Sequence, residues 1–383
     1  MPENTAMDTM RDEYEIDTLI EQATPILRRY ILTLEQENAR LRQELMDAQG
    51  TAARRERAAL ARESREPSAN TSVPTPRYGD DVMVITVTAQ GLCKRTPVNE
   101  YSAQRRGGVG VFDIQTSRDD QVAHVLVARE AAALLVLSSR GRAFRVPVET
   151  LPLTEIRGRG ASLPERLMFT GGETIGALLA LDEEQDDRPN VLIATASGLL
   201  RSFHRNYVGP RLQPGTLLVE PARGGSPAAA TLSHGGGDVL VALRSGVAYR
   251  FAEQLIRREG VRGIQVRPDD AVVGLAVLAA DGSDAIFLAS GEGLGTRRGD
   301  DTFSANKSPG GQGKVIMKTD ALAGLAAVTE QSEVFCVSGL GKIIRFAVAE
   351  VPPKAGNVQG VNIMDCRGDQ LTAITVSTPP AQD

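Results

Sequence analysis

Two arginines followed by three glycines, in the heptapeptide QRRGGVG at Gln104 to Gly110, are the residues of this chain best suited to holding an anion. Guanidinium groups offer planar paired donors to phosphate oxygens, and glycines let backbone N–H groups close on the same oxygens in conformations that other residues avoid. The same glycines make a turn, so both roles are open. Other glycine-rich stretches fail as nucleotide loops on spacing. SPGGQGKV puts Ser308 where a phosphate-binding loop needs its first glycine and Val315 where it needs Ser or Thr, while CVSGLGKI puts Cys336 and Ile343 there. GEGLGTRRG at residues 291–299 falls on a hairpin and not between a strand and a helix, so it is no dinucleotide fingerprint. His124, His204 and His234 are scattered, and Cys93, Cys336 and Cys366 show no CxxC spacing. No metal, cofactor or disulfide framework is expected from them. The pairs Asp119, Asp120 and Asp269, Asp270 read as solvated turns.

The elements that would carry these residues repeat. From Val82 onward six apolar runs each lead into a turn glycine: VITVTAQG to Gly91, LLVLSSRG to Gly141, VLIATASG to Gly198, VLVALRSG to Gly246, IFLASGEG to Gly293 and VFCVSGLG to Gly341. The interval is about 50 residues. Four positions after the glycine stands an arginine in five units (Arg95, Arg145, Arg250, Arg297, Arg345) and Ser202 in the third. That strict register predicts an ion pair or carbonyl contact within each blade. A second glycine turn follows in every unit (RRGGVG, EIRGRG, LQPG, EGVRG, PGGQG, NVQG), and a further apolar run closes the unit, as in VAHVLVA and IGALLAL. Such a unit cannot bury both faces alone, so units must stack, and six without polar capping repeats fit a closed ring. The fold class is all-β, a six-bladed β-propeller, with an N-terminal α-helical coiled-coil segment.

That segment carries Leu27, Leu34 and Leu41 at heptad d positions and Ile31, Asn38 and Leu45 at a positions. A buried asparagine pairs with its twin across a parallel, in-register dimer, and Glu37 at g can attract Arg42 at the following e. A homodimer is expected. RRER at residues 54–57 reads as a solvated helix face. The domain reading is 1–16 flexible, 17–65 helical coiled coil, 66–80 linker, 81–378 six-bladed ring and 379–383 tail. At 383 residues with net charge -5 and no Trp, the chain reads as soluble, and any nucleic-acid site must be a local patch. No apolar run approaches the ~20 residues of a membrane span and no signal peptide is evident, so it is read as cytoplasmic with no membrane partner.

The sixfold repeat, its glycine turns and the single QRRGGVG in the first unit resemble the C-terminal domain of DNA gyrase A and its topoisomerase IV counterpart, over roughly residues 80 to 378. The resemblance implies a β-pinwheel, in which neighbouring blades exchange strands. It implies too that duplex DNA is bound and bent on a basic rim, with the heptapeptide needed for the bend. In that family its sixth residue is basic, and here it is Val109. Carried over, the candidate DNA-binding residues are Gln104, Arg105, Arg106, Gly107, Gly108 and Gly110. The other units add Arg157, Arg159, Arg211, Arg262, Arg267, Lys307, Lys314, Lys318 and Lys354 as rim candidates. The third and sixth units are thin in cations, so an incomplete wrap is expected. The cleaving tyrosine of that family lies in a core that roughly thirty residues before Arg29 and Tyr30 cannot build, so a free-standing, non-enzymatic DNA-bending protein is expected. The alternatives are a protein-interaction propeller that has lost DNA binding and an accessory component of a type II topoisomerase.

Overall fold

The computed structural model describes residues 75–379 apart from 118, 258, 280–284, 300–303 and 357. The coiled-coil reading, with Leu27, Ile31, Leu34, Asn38, Leu41 and Leu45, lies outside the described residues. Within them are twenty-four strands, four to a unit. The first unit contains β1 (Val82–Thr88), β2 (Leu92–Pro97), β3 (Val111–Phe112) and β4 (Val122–Arg129). The second contains β5 (Ala133–Ser138), β6 (Arg142–Pro147), β7 (Ala161–Ser162) and β8 (Ile175–Leu181). The third contains β9 (Asn190–Thr195), β10 (Leu199–His204), β11 (Thr216–Leu217) and β12 (Pro227–Ser233), and the fourth β13 (Asp238–Leu243), β14 (Val247–Ala252), β15 (Val261–Arg262) and β16 (Val272–Leu278). The fifth contains β17 (Ala285–Ser290), β18 (Leu294–Gly299), β19 (Lys314–Val315) and β20 (Leu322–Val328), and the sixth β21 (Glu333–Ser338), β22 (Lys342–Ala347), β23 (Val361–Asn362) and β24 (Leu371–Ser377).

These strands form six antiparallel four-stranded sheets, and the two-residue third strand of each unit joins the sheet of the unit before it. Thus β7 completes the first blade beside β2, and β3 of the first unit completes the sixth blade beside β22, closing the ring. The last strands of the units, β4, β8, β12, β16, β20 and β24, face one another around a central cavity of about 540 Å³. The exchanged strands are therefore the outermost.

The first strand of every unit is mostly apolar and buried because both its faces are covered, and its period-2 alternation serves two neighbours at once. Val84 packs with Phe335 and Val337 of the sixth blade, whereas Ile85 packs with Leu134 and Val136 of the second. Leu135 and Leu137 then turn to Val191 and Ile193 of the third. Six apolar clusters result, one at each seam between adjacent blades. Tyr78, in the stretch read as linker, is buried in the cluster between blades 1 and 6, and Asn99 holds it through both backbone groups. All six turn glycines have positive φ. At Gly141 the requirement is severe, since a Cβ would lie 1.8 Å from the Val219 oxygen.

Candidate nucleic-acid interface

Cations divide by depth. The register arginines turn inward. Arg345 is 1% exposed and pairs with Glu333 at 2.7 Å while donating to the oxygens of Tyr101 (2.9 Å) and Pro76 (2.6 Å) across the seam that closes the ring. Arg95 pairs with Glu130 and donates to the Glu149 and Leu151 oxygens of the second unit. Arg145 pairs with Glu183, Arg250 with Asp238 and Arg297 with Glu330. The ion pairs expected from the register are present, but the carbonyl bonds run to the next unit and not within the blade, as those of Arg95, Arg145 and Arg345 do.

The heptapeptide lies on the outside of the same closing seam. The Gln104 N–H donates to the Arg345 oxygen (2.8 Å) and the Gly107 N–H to the Ile363 oxygen (2.8 Å), while the Asp365 N–H donates to Gly108 (2.9 Å). Arg106 donates from Nε to the Glu350 oxygen and from Nη1 to the Asn362 oxygen, both at 2.9 Å, and its N–H reaches the Glu350 carboxylate at 3.1 Å. Gly110, with φ of 76°, runs so close to β22 that a Cβ would lie 2.5 Å from the Ile343 oxygen. These glycines are set by strand exchange before any ligand arrives. Arg105 by contrast is exposed and has no side-chain bond among the described residues.

Just past β3 stands a group that the sequence reading missed. Asp113 and Lys94 are fully buried and paired at 2.8 Å, and Asp113 also accepts from Thr86 and Tyr101, each at 2.5 Å. Burial beside that carboxylate pushes the Tyr101 hydroxyl far above its ordinary value. Lys94 also donates to the Glu155 oxygen at 3.2 Å, tying the first unit to the second. The available signal was positional: the second and sixth units carry Phe144 and Ile344 at the place of Lys94, and Leu163 and Ile363 at the place of Asp113. A lysine and an aspartate replacing two core residues in one unit are a matched pair.

The remaining candidates are spread along the outer loops and strands. Arg157, Arg159, Arg211, Arg262, Arg267, Lys307, Lys314, Lys318 and Lys354 are all exposed, and none has a carboxylate partner among the described residues. Arg262 and Lys314 stand on outermost strands β15 and β19. Arg157 holds a φ of 70° at the position of Gly107, and its N–H bonds the Asp113 oxygen at 2.6 Å. EIRGRG is thus the structural twin of the heptapeptide, with Arg159 where the first unit has Val109.

The acidic pairs are not simply solvated. Asp120 is buried and accepts the Gln90 N–H at 3.0 Å, and Asp270 accepts the Ser245 N–H at 3.2 Å. Each caps a hairpin turn, a role invisible to spacing because the partner lies about 25 to 30 residues away. His124 lines the central cavity, where burial lowers it to about 4 and keeps its imidazole neutral at pH 7. The three cysteines are free and buried, and burial pushes the Cys93 thiol up to about 12. Among the described residues no three His, Cys, Asp or Glu side chains converge as a metal site, and no helix is long and apolar enough to cross a membrane.

The family described as the DNA gyrase C-terminal domain, beta-propeller, matches residues 83–129, 132–161, 244–279 and 332–376. DNA gyrase A of Salmonella typhimurium is 29% identical over 297 residues, covering 75% of this chain and 33% of that one. DNA gyrase A of Escherichia coli (strain K12) is 29% identical over 297 residues, covering 75% and 34%. The chain spans about a third of the length of these relatives. Among solved structures, the DNA gyrase A C-terminal domain aligns with a TM-score of 0.68 at 20% identity, over 78% of this chain and 99% of that one. The C-terminal domain of DNA topoisomerase IV aligns with a TM-score of 0.54 at 15% identity, over 78% and 94%. The matched family is a beta-propeller, and the sixfold closure of the ring agrees with it. The described residues form a β-pinwheel like the C-terminal domain of DNA gyrase A.

Proposed function

We propose that the outer edge of the ring binds duplex DNA and bends it, without catalysing a reaction. The observation that carries this is the division of cations. Arg105 and the nine residues above are exposed without a carboxylate partner among the described residues, and every unit supplies at least one of them. Bending a 20 to 30 base-pair site smoothly costs on the order of 1–6 kcal/mol, which phosphate contacts spread over many blades can offset. Gln104, Arg106, Gly107, Gly108 and Gly110 hold the loop that presents Arg105, and Arg106 acts mainly by keeping the first unit on the sixth. Paired through a parallel coil of residues 17–65, two rings would hold two duplex segments. Binding in the company of a topoisomerase agrees with the kinship to DNA gyrase A.

The test is titration of the full chain with linear duplex of about 40 base pairs at about 50 mM salt, followed by a salt series. Affinity should fall steeply as salt rises, and joint replacement of Arg105, Arg157 and Arg159 by glutamine should reduce both affinity and slope. Absence of binding, or binding indifferent to those charges, overturns the proposal.

A further inference from the structure

The outermost strands also expose apolar side chains, in a pattern. Their second residues, taken round the ring from the sixth blade, are Phe112, Ser162, Leu217, Arg262, Val315 and Asn362. Apolar and polar residues alternate strictly from blade to blade. Phe112 is 47% exposed, Leu217 58% and Val315 41%. With Val111 they make four of the nine large hydrophobic side chains exposed among the described residues, on strands that total only twelve residues.

Cations accompany these points. Lys342 stands opposite Phe112 across the strand pair, with its Nζ 5.3 Å from the ring centroid. Lys314 precedes Val315 on β19, whereas Arg142, opposite Leu217, is held by the buried Glu173 carboxylate, so the phosphate contacts beside the tips come from Lys342 and Lys314. On the polar blades the order inverts, with Leu92, Leu199 and Leu294, none of them fully exposed, opposite Ser162, Arg262 and Asn362. An apolar tip flanked by cations fits a duplex approached edge-on: the cations take phosphates while the tip enters the minor groove and unstacks a base step.

We infer that Phe112, Leu217 and Val315 are minor-groove wedges, set on alternate blades, that concentrate the bend at deformable pyrimidine–purine steps. Phe112 is the largest of the three and sits directly beyond the heptapeptide, so it is the principal wedge. The inference rests on the DNA-binding reading and adds to it a preference for flexible sequence and a kinked path. Phosphate contacts alone would bend the duplex smoothly with a weaker preference, whereas wedges concentrate the bend, and the preference, at single steps.

The experiment compares the full wild-type chain with the triple variant Phe112→Ser, Leu217→Ser and Val315→Ser. Serine is what β7 carries at this position, and unchanged thermal unfolding confirms the fold. Two end-labelled duplexes of about 40 base pairs are used, one with TA steps repeated every helical turn and one without pyrimidine–purine steps. Wild type should prefer the first by about threefold or more and raise energy transfer between its ends, while the variant loses the preference and most of the transfer but keeps the salt slope. A variant that bends and discriminates as wild type does overturns the wedges and leaves DNA binding standing. Wild type that binds neither duplex overturns both readings. A variant that loses self-association in sedimentation while bending DNA normally assigns the apolar tips to a protein contact and overturns the inference.

Discussion

Two populations of arginine sit on one ring. Those in strict register with the hairpin glycines, such as Arg345 and Arg95, are buried, paired with carboxylates and bonded to carbonyls of the next unit. Those off register, such as Arg105, Arg157 and Arg211, lie in the loops that lead to the outermost strands, exposed and without a carboxylate partner among the described residues. Regular spacing marks the cations that hold blades together, and irregular spacing marks those left for something else. Arg106 fits neither: off register and partly buried, it spends its side chain on the Glu350 and Asn362 carbonyls of the sixth unit, although it is adjacent to Arg105.

The contrast can be broken at its inner member. Replacing Arg345 by methionine leaves Glu333 buried without its partner, so urea unfolding should register a loss of about 3–5 kcal/mol. An equal effect from Arg105→Met would collapse the distinction. Gly110→Ala should cost about 2 kcal/mol or more, since it places a Cβ against the Ile343 oxygen at positive φ, and it should weaken DNA binding only through loss of closure. A subtler inner test is acid. Bonds from Arg142 hold the buried Glu173 carboxyl at about 2, below its ordinary 4.5. Its contribution to stability is therefore complete above about pH 4.5 and lost as pH falls toward 2. The melting temperature of wild type should decline through that window, and Arg142→Met should lack this part of the decline.

The outer member gives smaller effects on a different readout. Each of Arg105→Gln, Arg157→Gln and Arg159→Gln should leave stability within about 0.5 kcal/mol and lower the slope of log affinity against log salt by roughly 0.9. Val109→Lys, which puts a cation where the twin loop has Arg159, should raise that slope by a similar amount with no change in melting temperature. A lysine at position 109 that changes stability but not binding would show the loop to be structural alone.

The ring was legible because its signal is periodic: six apolar runs ending in glycine fix six hairpins, and the register arginines fix the side of each hairpin that meets its neighbour. Strand exchange came only through the family resemblance. A two-residue strand such as β3 has no periodicity of its own, and its partner β22 lies some 230 residues away. The Lys94 and Asp113 pair, the Asp120 cap and the wedge positions all depend on knowing which loop faces which blade. For the same reason Arg106 was grouped with Arg105 by residue type, although its bonds to Glu350 and Asn362 separate the two.

Closure by β3 also sets a timetable for biosynthesis. The last blade lacks its edge until Val111 and Phe112 dock on Lys342 and Ile343, so the first unit, once made, must wait while the other five emerge. At elongation rates of roughly 5–20 residues per second this interval is about 10–50 seconds. Throughout it Tyr78, Val84 and the segment that ends in Phe112 have no sixth blade to cover them, and the nascent chain carries an exposed apolar face.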